Sequence, residues 1–122
     1  MECCELVKNY ELKHNINYDY IIITRFDLTF NTYFSDYNID YEKINFECLL
    51  LPDNSGDNFI LFHRRFLDTV IDSIKTCIAE NNHAHKLFIY FQNNNLKVHY
   101  ICGETYKINP NFDVMFRFTR YV

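Results

Sequence analysis

Apolar positions recur along the chain at two spacings, which predict an alternation of helices and strands. Spacings of three and four residues predict helices at residues 2–15, 64–80 and 83–91. Apolar runs or alternating positions predict strands at residues 20–23, 44–51, 59–62, 96–102 and 114–121. Residues 31–43 show no clear period, and we expect a loop with one helical turn there. Because helices and strands alternate, the pattern predicts an α/β fold, with residues 1–122 forming a single domain.

The chain is organised around residues 18–30. Residues 20–23 are apolar without alternation and rich in β-branched side chains. Such a run is typical of a strand that is covered on both faces, in the middle of an α/β sheet. The helix before it carries Leu6, Val7 and Tyr10 on one side, and we expect this helix to cover the sheet.

Three polar residues, Thr24, Arg25 and Asp27, follow this apolar run directly. In extended backbone Arg25 and Asp27 project to the same side, because side chains alternate with a period of two. Ligands of open α/β sheets bind just beyond the carboxyl ends of central strands. The pair is therefore a candidate binding site. The alternative is an ion pair that only ties a strand end to a neighbouring loop.

Further carboxylates, Asp36, Asp53 and Asp57, lie where turns or strand ends are predicted. Hard divalent cations such as Mg²⁺ and Mn²⁺ bind one or two carboxylates together with substrate phosphates. Asp27 and Asp57, at the ends of two neighbouring strands, are candidates for one such ion, and an Asp also serves as a general base. The alternative for Asp57 is a turn cap after Gly56. His83 and His85 are not expected to share a metal, because residues two apart on a helix face different ways.

Composition and charge narrow the class of protein. A hydrophobic content of 48% and an aromatic content of 18% are typical of a folded domain. The net charge of −4, without a basic block, gives nucleic-acid binding little support, so no nucleic-acid partner is expected. No apolar run is long enough for a membrane span, and the N-terminus lacks the features of a signal peptide. Five cysteines without paired metal spacing are expected to be free thiols in a reducing compartment, the cytoplasm.

A longer pattern resembles a group of glycosyltransferase-like proteins from giant viruses, algae and bacteria. It consists of Glu-x-x-x-Asn followed by Tyr-Asp-Tyr-Ile-Ile-x-Thr-Arg-x-Asp-Leu-x-Phe. The matching residues are Glu11, Asn15, Tyr18, Asp19, Tyr20, Ile21, Ile22, Thr24, Arg25, Asp27, Leu28 and Phe30. An acidic segment before a short apolar strand and a helix, as at Asp57 to Phe62, is similar to a later part of these proteins.

The resemblance implies a GT-A-like architecture, a mixed sheet flanked by helices. In that architecture an Asp-x-Asp motif holds Mn²⁺ or Mg²⁺, which neutralises the diphosphate of a nucleotide sugar. By this resemblance Asp27 binds the metal and substrate, and Arg25, which stands where the first Asp would be, binds diphosphate. Asp57 is then the catalytic candidate, as acid/base or facing the acceptor. The implied partners are a nucleotide sugar and a glycan acceptor, in the host cytoplasm if the protein is viral.

The length differs from that of these proteins. In GT-A enzymes the strands that hold the nucleotide precede the metal motif by many tens of residues, whereas about one helix precedes Tyr18 here. The resemblance therefore covers the C-terminal part of a transferase domain. The chain is then expected to be either a remnant or fragment of a longer transferase or a protein that a second chain completes, and the exposed edge of a truncated sheet favours a homodimer. The alternative function is a catalytically inactive interaction or structural module derived from a glycosyltransferase.

Overall fold

The computed structural model describes residues 2–30, 33–104 and 116–118. Helices lie at α1 (Glu2–His14), α2 (Leu67–Ala79) and α3 (Leu87–Asn93). Strands lie at β1 (Tyr20–Thr24), β2 (Leu28–Phe30), β3 (Ile44–Phe46), β4 (Leu49–Leu51), β5 (Asn54–Ser55), β6 (Phe59–His63), β7 (Val98–Tyr100) and β8 (Phe116–Phe118). Short 3₁₀ turns occupy Phe34–Asp36, Arg64–Phe66 and Ala84–Lys86.

Four of these strands form a mixed sheet in the order β1-β6-β3-β7. Strand β6 runs antiparallel to both β1 and β3, and β7 runs parallel to β3. Two small antiparallel pairs, β2 with β8 and β4 with β5, lie outside this sheet. The prediction of an α/β fold is confirmed at the level of a mixed sheet with helices.

The core lies on both faces of β6. Ile60 and Phe62 belong to the larger apolar cluster, which includes the buried side chains of α2 and α3. Phe59 and Leu61 belong to a second cluster with Ile101 on the opposite face. An uninterrupted apolar run is what a strand buried on both faces requires, so the predicted buried strand at residues 59–62 is confirmed.

Strand β1 does not have the central position predicted for it. Among the described residues it pairs with β6 alone, so it forms an edge of the sheet. Ile21 is buried, whereas Ile22 is 44% exposed and Tyr20 is exposed as well. The prediction failed because β-branched side chains, whose χ1 angles are restricted, favour strands whether or not both faces are covered, so an apolar run does not by itself show burial on both faces.

Helix α1 begins at the predicted residue but packs through a different face. Leu6 and Tyr10, predicted to cover the sheet, are exposed, whereas Cys4 and Glu11 are buried and Val7 packs partly against the core. The helix ends at His14, one residue before the predicted end, and is followed by Asn15, whose φ of 51° lies in the left-handed region that Asn tolerates. An apolar stripe on α1 is thus left on the surface.

The remaining helices and strands differ from the prediction mainly at their ends. The predicted strand at residues 44–51 is interrupted by Glu47 and Cys48, which separate β3 from β4. The predicted helix at residues 64–80 is a 3₁₀ turn followed by α2, and that at 83–91 is a 3₁₀ turn followed by α3. Only residues 116–118 of the predicted last strand are described, and they pair with β2.

Within the described residues, no helix combines the length and the apolar surface that crossing a bilayer requires.

Candidate functional site

The turn after β1 holds the first candidate pair. Arg25 Nε donates to Asp27 Oδ1 at 2.9 Å, and Arg25 Nη2 donates to Asp27 Oδ2 at 2.7 Å. Both side chains are partly exposed, and Phe26 between them is fully exposed. This bidentate geometry is the strongest form of a guanidinium–carboxylate contact. The two side chains therefore lie on the same side of the chain, as their spacing predicts, and each engages the other.

Asn58 connects the end of β1 to the segment that precedes β6. Thr24 Oγ1 donates to the Asn58 carbonyl at 3.0 Å, and Thr24 is the register partner of Phe59. Because β1 and β6 are antiparallel neighbours, the end of β1 and the beginning of β6 lie at the same end of the sheet. Asp27 and Asp57 are thus placed at the ends of neighbouring strands, as the sequence predicts.

Asp57 faces an imidazole that the sequence did not associate with it. Its Oδ2 lies 3.8 Å from His85 Nε2, and both side chains are partly exposed. The other ring nitrogen, Nδ1, lies 2.8 Å from the Ser55 carbonyl. A carbonyl only accepts hydrogen bonds, so Nδ1 carries the proton of that contact and Nε2 is the nitrogen directed at Asp57. The ion pair forms when the ring is protonated.

A buried carboxyl group, Glu47, lies behind this pair. It is 2% exposed, and its Oε1 accepts the backbone N–H of Asn58 at 3.0 Å. Burial raises the pKa of Glu47 to about 7, the hydrogen bond from Asn58 opposes this rise, and the charge of Asp57 adds to it. The buried carboxyl therefore holds its proton to a higher pH than an exposed glutamate does.

The arrangement provides acid–base chemistry at one end of the sheet. Two carboxyl groups in different surroundings, one buried and one partly exposed, are the usual means of dividing acid and base roles. Glu47 belongs to the interior, whereas Asp57 and His85 are accessible to a ligand. Arg25 lies at the same end of the sheet, where its guanidinium donates to both carboxylate oxygens of Asp27.

In residues 2–30, 33–104 and 116–118, no group of three or more His, Cys, Asp or Glu side chains is arranged to hold a metal ion. Asp27 and Asp57 each engage a basic side chain, Arg25 and His85 respectively. The described side chains therefore do not form a metal cage by themselves, and an ion at Asp27 would need most of its ligands from a substrate.

The other candidate carboxylates lie elsewhere. Asp53 is engaged by Lys86, whose Nζ donates to its Oδ2 at 2.8 Å, and Asp36 lies in the 3₁₀ turn Phe34–Asp36. Sequence reasoning missed Glu47 and His85 as members of the site. The available indication for Glu47 was a charged residue inside an otherwise apolar run, and for His85 there was none.

An apolar groove runs between α1 and the exposed edge of β1. One part of it, about 370 Å³, is lined by Leu6, Tyr10, Tyr18 and Ile22 among others. An adjoining part of about 240 Å³ extends along β1 to Phe26. The groove thus reaches Phe26, in the turn that carries Arg25 and Asp27.

The chain was compared with protein-family models, with curated proteins and with solved structures. None of the three comparisons found a match. The structure shows an α/β domain with a mixed sheet. At one end of this sheet lie the Arg25–Asp27 pair and the Asp57–His85 pair.

Proposed function

We propose that the chain is a glycosyltransferase-like protein that assists transfer of a sugar from a nucleotide sugar to a glycan acceptor in the cytoplasm. One observation supports this proposal most directly. The turn after β1 presents Arg25 and Asp27, partly exposed, at the same end of the sheet as Asp57 and His85. A group that binds phosphate and a group that accepts a proton are the two that such a transfer requires.

Each residue then has a defined role. Arg25 binds the diphosphate oxygens through its guanidinium, and Asp27 is the carboxylate that would hold Mn²⁺ or Mg²⁺, an ion that neutralises the leaving diphosphate. Asp57 accepts the proton of the acceptor hydroxyl. As that oxygen forms its bond to the anomeric carbon, the bond from this carbon to the diphosphate breaks, and the electron pair leaves with the phosphate.

The exposed edge of β1 supports the view that another strand completes this sheet. In the GT-A proteins that the sequence resembles, the nucleotide-binding strands precede the metal motif. Within the described residues β1 has β6 on one side and no strand on the other. We expect a further strand to pair with β1 at this edge.

A second candidate function is a catalytically inactive interaction or structural module. Arg25 engages both carboxylate oxygens of Asp27, the geometry of a structural ion pair. The apolar groove beside β1 is also typical of a surface that binds another protein. Under this alternative the sheet persists without a donor site.

Titration calorimetry separates the two functions. The wild-type chain is titrated with a panel of nucleotide sugars, each with and without Mn²⁺ or Mg²⁺. We expect saturable binding that the metal strengthens. Asp27→Asn should abolish the metal-dependent part, because the neutral amide attracts a cation less, while Asp72→Asn on α2 serves as the matched control.

Two results of this titration would contradict the proposed roles. Absence of binding to the whole panel by the folded wild-type chain supports the inactive module. Metal-dependent binding that is unchanged in Asp27→Asn would exclude Asp27 as the metal ligand. Circular dichroism of each variant shows that the fold is retained.

A further inference from the structure

The outer edge of β1 lacks the features that normally prevent strand pairing. Natural edge strands are protected by charged residues, proline or bulges. Strand β1, Tyr20-Ile21-Ile22-Ile23-Thr24, contains no charged residue and no proline, and its register with β6 is continuous over all five residues. Such an edge favours the addition of another strand.

The ladder with β6 shows which backbone groups face outward. The Arg64 N–H donates to the Asp19 carbonyl at 2.8 Å, so Asp19 directs its backbone groups towards the strand that carries Arg64. Backbone groups of successive residues in a strand point alternately to its two sides. The N–H and C=O groups of Tyr20, Ile22 and Thr24 therefore point away from β6.

We propose that β1 pairs with β1 of a second copy of this chain, antiparallel about a two-fold axis through Ile22. This axis places outward-facing groups opposite each other, as an antiparallel ladder requires. The resulting cross-strand pairs are Ile22 with Ile22 and Tyr20 with Thr24, and the same register brings the flanking residues Asp19 towards Arg25 and Tyr18 towards Phe26.

Charge complementarity argues for a second copy as the occupant of this edge. In this register Asp19 of each copy lies opposite Arg25 of the other, so the two-fold axis creates two pairs of opposite charge. Asp19 is exposed, and Arg25 is partly exposed. Moving the axis to Tyr20 or to Thr24 removes both charge pairs. The sequence around β1 is thus complementary to itself in one register.

Apolar surface favours the same register. Phe26 is fully exposed, and in this register it lies opposite Tyr18 of the second copy. Tyr18 stacks on Tyr10 at a centroid distance of 6.5 Å, and both rings line the groove of about 370 Å³. We infer that this groove accepts Phe26 of the second copy.

Two of the charged side chains of α1 are paired with residues of α2. Glu5 pairs with Lys75 at 2.9 Å, and Lys8 pairs with Asp68, so these charges are directed to α2. Leu6 and Tyr10 remain on the exposed side.

The inference uses only this surface and therefore does not depend on the proposed function. One consequence for the site is that Asp19 of the second copy joins Asp27 beside Arg25.

Sedimentation equilibrium between about 1 µM and 1 mM chain tests the proposal. We expect the mass to rise from 14.9 kDa to twice that value. Asp19→Arg alone, or Arg25→Asp alone, places like charges opposite each other twice and should weaken association about tenfold or more. An equimolar mixture of these two variants restores both opposite-charge pairs, so it should form a heterodimer as tightly as the wild-type homodimer.

Two further variants test the position of the two-fold axis and the specificity of the charge effect. Ile22→Lys places two positive charges together on the axis and should leave the chain monomeric, with its fold checked by circular dichroism. Asp72→Arg on α2 is the charge-reversal control and should dimerise normally. A wild-type chain that stays monomeric up to about 1 mM overturns the proposal and leaves the edge to a strand of a different protein. A dimer that is indifferent to the Asp19 and Arg25 reversals overturns it as well.

Discussion

Gly56 lies so close to the buried side chain of Glu47 that position 56 has no room for a Cβ atom. A Cβ on Gly56 would overlap Oε1, Cγ and Cδ of Glu47. Glu47 has little room to move, because it is 2% exposed and accepts the Asn58 N–H. Gly56→Ala should therefore lower the free energy of unfolding by about 1–3 kcal/mol, measured by urea denaturation.

Two further variants test whether the overlap with Glu47 causes the loss of stability in Gly56→Ala. Gly103→Ala meets no atom within 4 Å, so it should show only the cost of its left-handed backbone, φ 71°. The double variant Gly56→Ala with Glu47→Ala should lose less stability than the sum of the two single changes, because the second change removes the overlapping atoms. Additive losses would show that the contact with Glu47 is not the cause.

At the level of single residues, the sequence predicted the side-chain contact that depends only on local backbone geometry. Arg25 and Asp27 are two apart in the chain, and a period of two was sufficient to bring them together. The pairing of Asp57 with His85 joins positions 28 apart, and its geometry depends on how the turn at Ala84–Lys86 packs against β5. A single sequence contains no local indication of such a contact.

At the level of the structural elements, one buried carboxylate, Glu11, holds the segment between α1 and β1 in place. Glu11 accepts Arg64 Nε at 2.9 Å and the Tyr18 N–H at 3.0 Å. The Tyr18 backbone N–H, and after it Arg64, hold the pKa of Glu11 below its ordinary value of 4.5. A group with a lowered pKa stabilises the fold above its ordinary pKa, and this contribution is lost as the pH falls.

Glu11→Gln should accordingly lower the urea midpoint at pH 7 and should differ less from the wild type near pH 3. The reason is that a neutral amide, with a single oxygen, cannot retain all the contacts of the carboxylate. The matched control is Glu5→Gln on the same helix, whose exposed ion pair with Lys75 should contribute little. Equal effects of the two substitutions would show that the buried link has no special role.

The two apolar strands show why hydrophobic pattern alone did not determine the order of the sheet. Residues 20–23 and 59–62 are both uninterrupted apolar runs, yet β1 forms the edge and β6 is buried on both faces. The difference is made by other elements, since Leu28 and Phe30 pack with Phe59 and Leu61. Strand order is therefore a property of tertiary contacts, whereas the existence of the strands is local.

For the molecule as a whole, the carboxyl groups have opposite effects on stability as the pH changes. Ion pairs or hydrogen bonds lower the pKa of Glu5, Glu11, Asp40, Asp53 and Asp68. Their contribution to stability is complete above their ordinary values, 3.8 to 4.5, and is lost in acid. Glu47 acts in the opposite direction, because burial raises its pKa to about 7.

The sign for Glu47 follows from proton binding. The folded state holds its proton more tightly than the unfolded state, so its contribution is complete below pH 4.5 and is lost as the pH rises through about 7. A rise from 4.5 to about 7 corresponds to about 3 kcal/mol. We therefore expect the free energy of unfolding to be highest near about pH 5 and to fall between pH 5 and 8.

Urea denaturation at half-unit pH intervals measures this profile, and Glu47→Gln isolates its cause. The amide oxygen can still accept the Asn58 N–H but does not ionise, so the variant should lose the decline above pH 5 and exceed the wild type in stability at pH 8. A wild-type stability that rises steadily from pH 5 to 8 would contradict this expectation. Because Glu47 accepts the N–H of Asn58, the neighbour of Asp57, a decline that disappears in the variant would show that the group controlling this pH dependence is the buried carboxyl beside the site.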